Sequence, residues 1–151
     1  MLDSGKLSTG KLKTMKLSSN TRYAVRILFE LQGATTPLSM SALADKTGIT
    51  LRAIENIQAL LKENGLTSGT IGPGGGLMLA VPLEQISLGR LVRLFDNGVE
   101  LTVCCGEKSN ECPNRSKCAN RAAWDDISAI VQEQLDGVAL DQVYQKYFLR
   151  G

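Results

Sequence analysis

The chain has 151 residues, of which 43% are hydrophobic, and a formal net charge of +2. That suits one cored domain, or a compact domain with an appended element, and does not need cysteine staples to fold. No apolar run approaches the ~18 residues of a membrane span, and the N-terminus lacks the apolar stretch of a secretory signal; the expected location is cytoplasmic, where structural disulfides are rare.

Residues 1–14, MLDSGKLSTGKLKT, read as a flexible leader, native or a tag, with the folded part beginning near Met15. Before Glu30 the basic residues Lys6, Lys11, Lys13, Lys16, Arg22 and Arg26 face only Asp3, a bias that suits a polyanionic partner. In LSSNTRYAVRILFELQG, Ser18 and Ser19 are N-cap candidates, and Tyr23, Ala24, Ile27, Leu28 and Leu31 recur at helical spacing up to Gly33. Pro37 then bars continuation. A short helix is expected from about Ser39 to Lys46, closed by Thr47-Gly48. A second starts from Thr50 as its cap and runs to about Asn64, with Leu51, Ile54, Ile57 and Leu61 as its buried face. Its exposed face carries Thr50, Arg52, Ala53, Asn56 and Lys62, side chains of a kind that can enter a major groove.

Two helices joined by a tight glycine turn form the helix-turn-helix pattern. The next stretch, LTSGTIGPGGGLMLA, reads as two strands around the tip Gly72-Pro73-Gly74-Gly75-Gly76, which is the wing of a winged helix. Glycines there let backbone approach a phosphate closely. The tip lacks the Lys-Ser/Thr of a phosphate-binding loop and the strand-to-helix setting of a dinucleotide fingerprint. SLGRLVRLFD is a further helix capped by Ser87. ANRAAWDDISAIVQEQLDGV gives a helix of about seventeen residues, roughly 25 Å long, with Trp124, Ile127, Val131 and Leu135 on one stripe that serves either as core or as a pairing face. A last short helix near Leu140–Phe148 closes the chain.

All four cysteines fall within residues 103–118, VCCGEKSNECPNRSKC, and the chain has no histidine. Six residues separate Cys105 from Cys112 and five separate Cys112 from Cys118. Zinc ranks second for this set, because its usual close cysteine pairs and histidine are absent. A reversible disulfide would make a redox switch. Three or four thiolates on a loop suit an iron–sulfur cluster, since soft sulfur matches iron. Lys108, Arg115 and Lys117 would offset part of the negative charge.

The segments MKLSSNTRYAV, GITLRAIENIQALLKENGLTS, GPGGGLMLA, ISLGRLVRLFD and the spaced cysteines followed by RAAWDDIS resemble the IscR/NsrR/CymR family of bacterial winged-helix transcription regulators, over about Met15 to Tyr147. The resemblance implies a homodimer joined through the long helix and bound to palindromic promoter DNA. It also implies a [2Fe-2S] or [4Fe-4S] cluster, the former favoured, held by Cys105, Cys112 and Cys118. One branch of the family takes its fourth ligand from a histidine where this chain has Arg121; another takes it from an acidic residue where this chain has Arg22. Cys104 is therefore the leading fourth candidate, with Glu107 or an exogenous ligand behind it. The wing position that often carries arginine is Ile71 here, which leaves Thr70 and the tip backbone for phosphate contact.

The expected fold is mainly α with a small β-hairpin: a winged helix-turn-helix over 15–96, a cysteine loop over 97–118, and a dimerisation helix with a C-terminal helix over 119–151. The DNA-contacting candidates are Lys16, Arg22, Ser39, Thr50, Leu51, Arg52, Asn56, Thr70, Gly74 and Gly75. The expected function is a dimeric, non-enzymatic regulator, or repressor, whose promoter affinity is controlled by the cluster. A cluster-free regulator switched by thiol oxidation or a small effector is the alternative, and a small iron–sulfur carrier a remoter one. A catalytic role ranks lowest, since there is no histidine to serve as general base and no nucleophile motif.

Overall fold

The computed structural model describes residues 17–102, 114 and 116–150. In chain order it contains α1 (Ser19–Gly33), α2 (Met40–Thr47), α3 (Leu51–Glu63), β1 (Thr67–Thr70), β2 (Gly76–Leu79), α4 (Leu88–Asp96), α5 (Ala119–Asp136) and α6 (Leu140–Val143), which widens into a π-helical turn over Tyr144–Phe148. A mainly helical chain with one antiparallel hairpin is the winged-helix architecture expected of the sequence.

Side-chain caps set four of the helix starts. Ser18, Ser39, Thr50 and Ser87 each accept a hydrogen bond from the backbone N–H three residues on, so α1, α2, α3 and α4 begin where a hydroxyl satisfies an otherwise orphaned donor. α2 stops at Gly48, whose φ of 71° lies in the left-handed region where an L side chain would be strained.

The core is one cluster gathered from every part of the domain. Ile27 and Leu28 of α1, Leu43 of α2, Ile54, Ile57 and Leu61 of α3, and Leu91 of α4 are fully or almost fully buried. Each such side chain contributes about 1.5–3 kcal/mol relative to an exposed one. Leu140 of α6 enters the same cluster. It is led there by an isolated antiparallel bridge, in which Leu88 N–H donates to Val138 O at 2.8 Å and Leu140 N–H to Ile86 O at 2.9 Å. Behind it Phe29 meets Tyr144 and Phe148 edge-on, at 5.4 Å between ring centroids in both cases. The C-terminal helix thus folds back onto α1.

Leu51 departs from expectation. It is 44% exposed, while Gln58 takes a buried place on α3. As the first residue of its helix Leu51 has no preceding turn to fold against. Gln58 is admitted because Thr67 Oγ1 donates to its Oε1 at 3.0 Å in the buried joint between α3 and β1. No helix among the described residues is long and apolar enough to cross a membrane.

Candidate nucleic-acid interface

α2 and α3 meet through the three residues Gly48, Ile49 and Thr50. Ile49 plugs into the core, and its N–H donates to Thr47 Oγ1 at 3.2 Å. Thr50 Oγ1 accepts from Ala53 N–H at 3.4 Å and so starts α3. With Ile54, Ile57, Gln58 and Leu61 turned inward, Thr50, Leu51, Arg52 and Asn56 are left exposed, while Ala53 is partly covered. Glu55, which the sequence pattern did not single out, is exposed on the same helix. A carboxylate facing DNA must accept from a base, such as a cytosine amino group, or repel phosphate. Ser39 is exposed, and its hydroxyl is engaged in capping α2, accepting from Ala42 N–H at 3.1 Å.

The wing is tied to this unit at its base. Leu38, just ahead of α2, exchanges two backbone hydrogen bonds with Leu77 of β2: Leu38 N–H to Leu77 O at 3.0 Å and Leu77 N–H to Leu38 O at 2.7 Å. Gly76 is what permits the approach, since a Cβ there would stand 2.6 Å from the Leu38 carbonyl. At the tip, Gly75 N–H donates to Gly72 O at 2.9 Å and Gly76 N–H to Thr70 Oγ1 at 3.2 Å. Thr70 therefore closes the wing with the hydroxyl expected to meet phosphate, although the residue remains exposed. Gly74 is exposed with φ at 74°, Gly75 is half-buried, and Ile71 is fully exposed.

The N-terminus of α1 forms a third face. Arg22 is exposed, its guanidinium donating to Ser19 Oγ at 3.1 Å. Beneath it, Asp96 at the end of α4 accepts from Ser18 N–H at 3.2 Å and from Thr21 Oγ1 at 2.6 Å, although 78 and 75 residues separate them in sequence. Sequence periodicity carries no signal for a clamp of this range. Lys16 lies outside the described residues.

Asp96 also closes α4, just ahead of the cysteine segment. Beyond it, Val99 N–H donates to Gln132 Oε1 at 3.1 Å and Leu101 N–H to Ser128 Oγ at 3.3 Å, so the first stem of that segment is latched along α5. Gln132 Nε2 reaches Gly89 O of α4 at 3.2 Å. Arg93 and Asp136 pair through the two terminal guanidinium nitrogens, across the point where Gly89 lets the end of α5 approach α4. The Arg93 hydrogen bond, helped by Gln132, holds the Asp136 carboxyl below its ordinary range against a smaller opposing effect of desolvation. The second stem ends at Cys118, the half-buried N-cap residue of α5, whose side chain makes no capping hydrogen bond. Cys104, Cys105 and Cys112, with Glu107, Lys108 and Arg115, lie outside the described residues, and among the described residues no group of three or more His, Cys, Asp or Glu could hold a metal ion. Arg121 pairs with Asp125, one turn further along α5, at 3.5 Å.

The sequence profile of the Rrf2 family, described as an iron-dependent transcriptional regulator, matches residues 17–146. The HTH-type transcriptional regulator IscR of Klebsiella pneumoniae is 31% identical over 131 residues, covering 85% of this chain and 79% of that protein. Among solved structures, CymR, the global cysteine regulator of Bacillus subtilis, superposes with a TM-score of 0.66 at 24% identity, covering 87% of this chain and 98% of that one. T. potens IscR superposes with a TM-score of 0.66 at 23% identity, covering 86% of both chains. These two likenesses establish the winged-helix fold.

Proposed function

This chain belongs to the Rrf2 family of DNA-binding transcriptional regulators, and from that premise we propose that it is a homodimeric, cluster-controlled regulator, its cysteine segment coupled to its DNA-reading face. The observation that carries the reading is the position of Asp96, which holds the N-terminus of α1 and is followed at once by the stem latched to α5. A change at the cysteines that is passed to Val99 and Leu101 would therefore act on α1 and on α5 together.

Four thiols and no histidine make a donor set of the right softness for iron. Cys118 fits a ligand role, since its side chain makes no capping bond and it stands at a helix N-terminus, which favours anionic charge. Cys105, Cys112 and Cys118 would hold the cluster, [2Fe-2S] before [4Fe-4S], with Cys104 completing the set. When bound, such a cluster supplies a centre that changes charge or dissociates in response to redox or iron status. The chain's own residues do the rest. Gln132 and Ser128 register the stem on α5, Asp96 sets the N-terminus of α1, and Arg22 and Lys16 contact phosphate from there. Arg52, Asn56, Thr50 and Leu51 meet base edges, and Ser39, Thr70, Gly74 and Gly75 meet the backbone. Residues 15–96 act as the reading module, 97–118 as the sensing loop and 119–151 as the pairing element, on a palindromic promoter site whose halves lie about 34 Å apart. A coupling of ~1–3 kcal/mol between the two functions changes promoter affinity about 5–150-fold.

The test is anaerobic reconstitution of the full chain with ferrous ion and sulfide, read by absorption and Mössbauer spectra beside Cys104→Ala and Cys118→Ala. Both variants are expected to lose or alter the cluster. A wild type that stays colourless, with promoter affinity unchanged by the treatment, overturns cluster control. That outcome favours the second reading, a regulator switched by thiol oxidation or a small sulfur-containing effector, for which the likeness to a protein named as a global cysteine regulator is the supporting observation.

A further inference from the structure

The wing of this DNA-binding chain carries no charge. Between Glu63 and Glu84 there is no lysine, arginine, aspartate or glutamate, whereas the residues leading into α1 are basic. Attraction to phosphate through wing side chains, the ordinary way such an element holds DNA, is therefore absent. What the tip offers instead is Ile71, 104% exposed, beside a run of residues whose only side chain is Pro73. A tip of that composition is slender enough for a minor groove ~6 Å wide. It is also set in place, by Gly75 to Gly72 and Gly76 to Thr70 within the tip and by Leu38 and Leu77 at the base.

We propose that Ile71 is a specificity-determining residue: it seats in the minor groove beside each half-site and selects A·T over G·C pairs there. The chemistry is one of exclusion. An A·T pair shows the minor groove only acceptors on its floor, while a G·C pair adds the guanine 2-amino donor. An aliphatic side chain pressed over the floor strips water from the acceptors of either pair, a cost common to both, but over G·C it also strips the 2-amino donor and returns no hydrogen bond; in both cases it loses its own contact with water. The wing thus reads the absence of one amino group rather than the presence of a partner for a cation. The proposal rests on the reading of α3 as the helix in the adjacent major groove, because that places the wing on the minor groove beside it.

The experiment uses the full chain and the duplex recovered by selecting it against a randomised library, with the wing-proximal pairs changed from A·T to G·C and to inosine·C, which lacks the 2-amino group. Wild type is expected to bind the G·C duplex about tenfold more weakly and to recover on inosine·C. Ile71→Ala, at a fully exposed position with no packing to lose, is expected to weaken on the A·T duplex and to stop distinguishing the three, with its salt dependence unchanged. Ile71→Arg is expected to steepen the log–log salt slope by about 0.9 per half-site contact. An Ile71→Ala protein that keeps both the affinity and the discrimination of wild type overturns the proposal, as does a wild type equally weak on G·C and inosine·C. The control is Arg52→Ala. Uniform weakening there isolates a failure as the wing's own, while wild-type binding would overturn the α3 reading and with it the seat proposed for the wing.

Discussion

Single residues show where hydrophobic spacing stops being informative. Steps of three and four through Leu51, Ile54, Ile57 and Leu61 describe α3 correctly except at its first residue, which stands in solvent at the open end of the helix. The complementary miss is Gln58. Its Oε1 is met by Thr67 while its Nε2 is buried without a hydrogen-bond partner among the described residues, and Thr67, nine residues on, is invisible to a hydrophobic pattern. Gly76 is a third case: the glycine-rich tip is evident in the sequence, but not that this glycine makes room for the Leu38 carbonyl. Gly76→Ala is expected to lower stability by about 1–3 kcal/mol in urea unfolding and to loosen the wing, seen as faster amide exchange at Leu38 and Leu77. Unchanged protection at those two amides would contradict the packing described.

At the scale of elements, the helices were legible because four of them start from hydroxyl caps that sequence and structure share. The closing element was less so. A π-helical turn has no period of its own to betray it, and its reason lies in tertiary stacking, Tyr144 on Phe148 at 5.1 Å, with both against Phe29. Among the described residues, α5 is the long helix that buries least. It buries only Ser128, while Trp124, Ile127 and Ile130 are 36%, 41% and 57% exposed at intervals of three. Ile127→Glu with Ile130→Glu is expected to convert a dimer into monomers in sedimentation at micromolar concentration, leaving the helical circular dichroism of the rest intact; a dimer that survives both charges places the pairing face elsewhere. The junction of α5 with α4 has its own signature in acid. The Asp136 carboxyl is held below its ordinary value by Arg93, so its contribution is present above the unfolded carboxylate range near 4 and is lost as pH falls through the lower folded value. Asp136→Asn is expected to flatten the loss of thermal stability between about pH 4 and pH 2, with little change in slope near pH 7. An identical acid profile in both proteins would deny the pair that role.

For the molecule as a whole, the thiols and the helix-turn-helix pattern were evident in the sequence, but not the long-range contacts that join α1, α4, α5 and the start of the cysteine segment. Those contacts span tens of residues: Asp96 to Ser18 and Thr21, Gln132 to Val99 and Gly89, Ser128 to Leu101. None has a local pattern, because each is fixed by how finished helices pack rather than by how they form. The bridge between Leu38 and Leu77 has a further consequence, for the operator rather than for the protein. The hairpin is tied to the segment that leads into α2, so under the proposed reading the phasing between the base pairs met by α3 and by the wing would be a constant. One inserted pair between those two segments shifts the far one by ~3.4 Å and turns it by roughly a tenth of a revolution about the duplex axis. The two Leu38–Leu77 hydrogen bonds oppose a matching shift in the protein, and half-sites lengthened there are expected to bind more weakly than the native spacing.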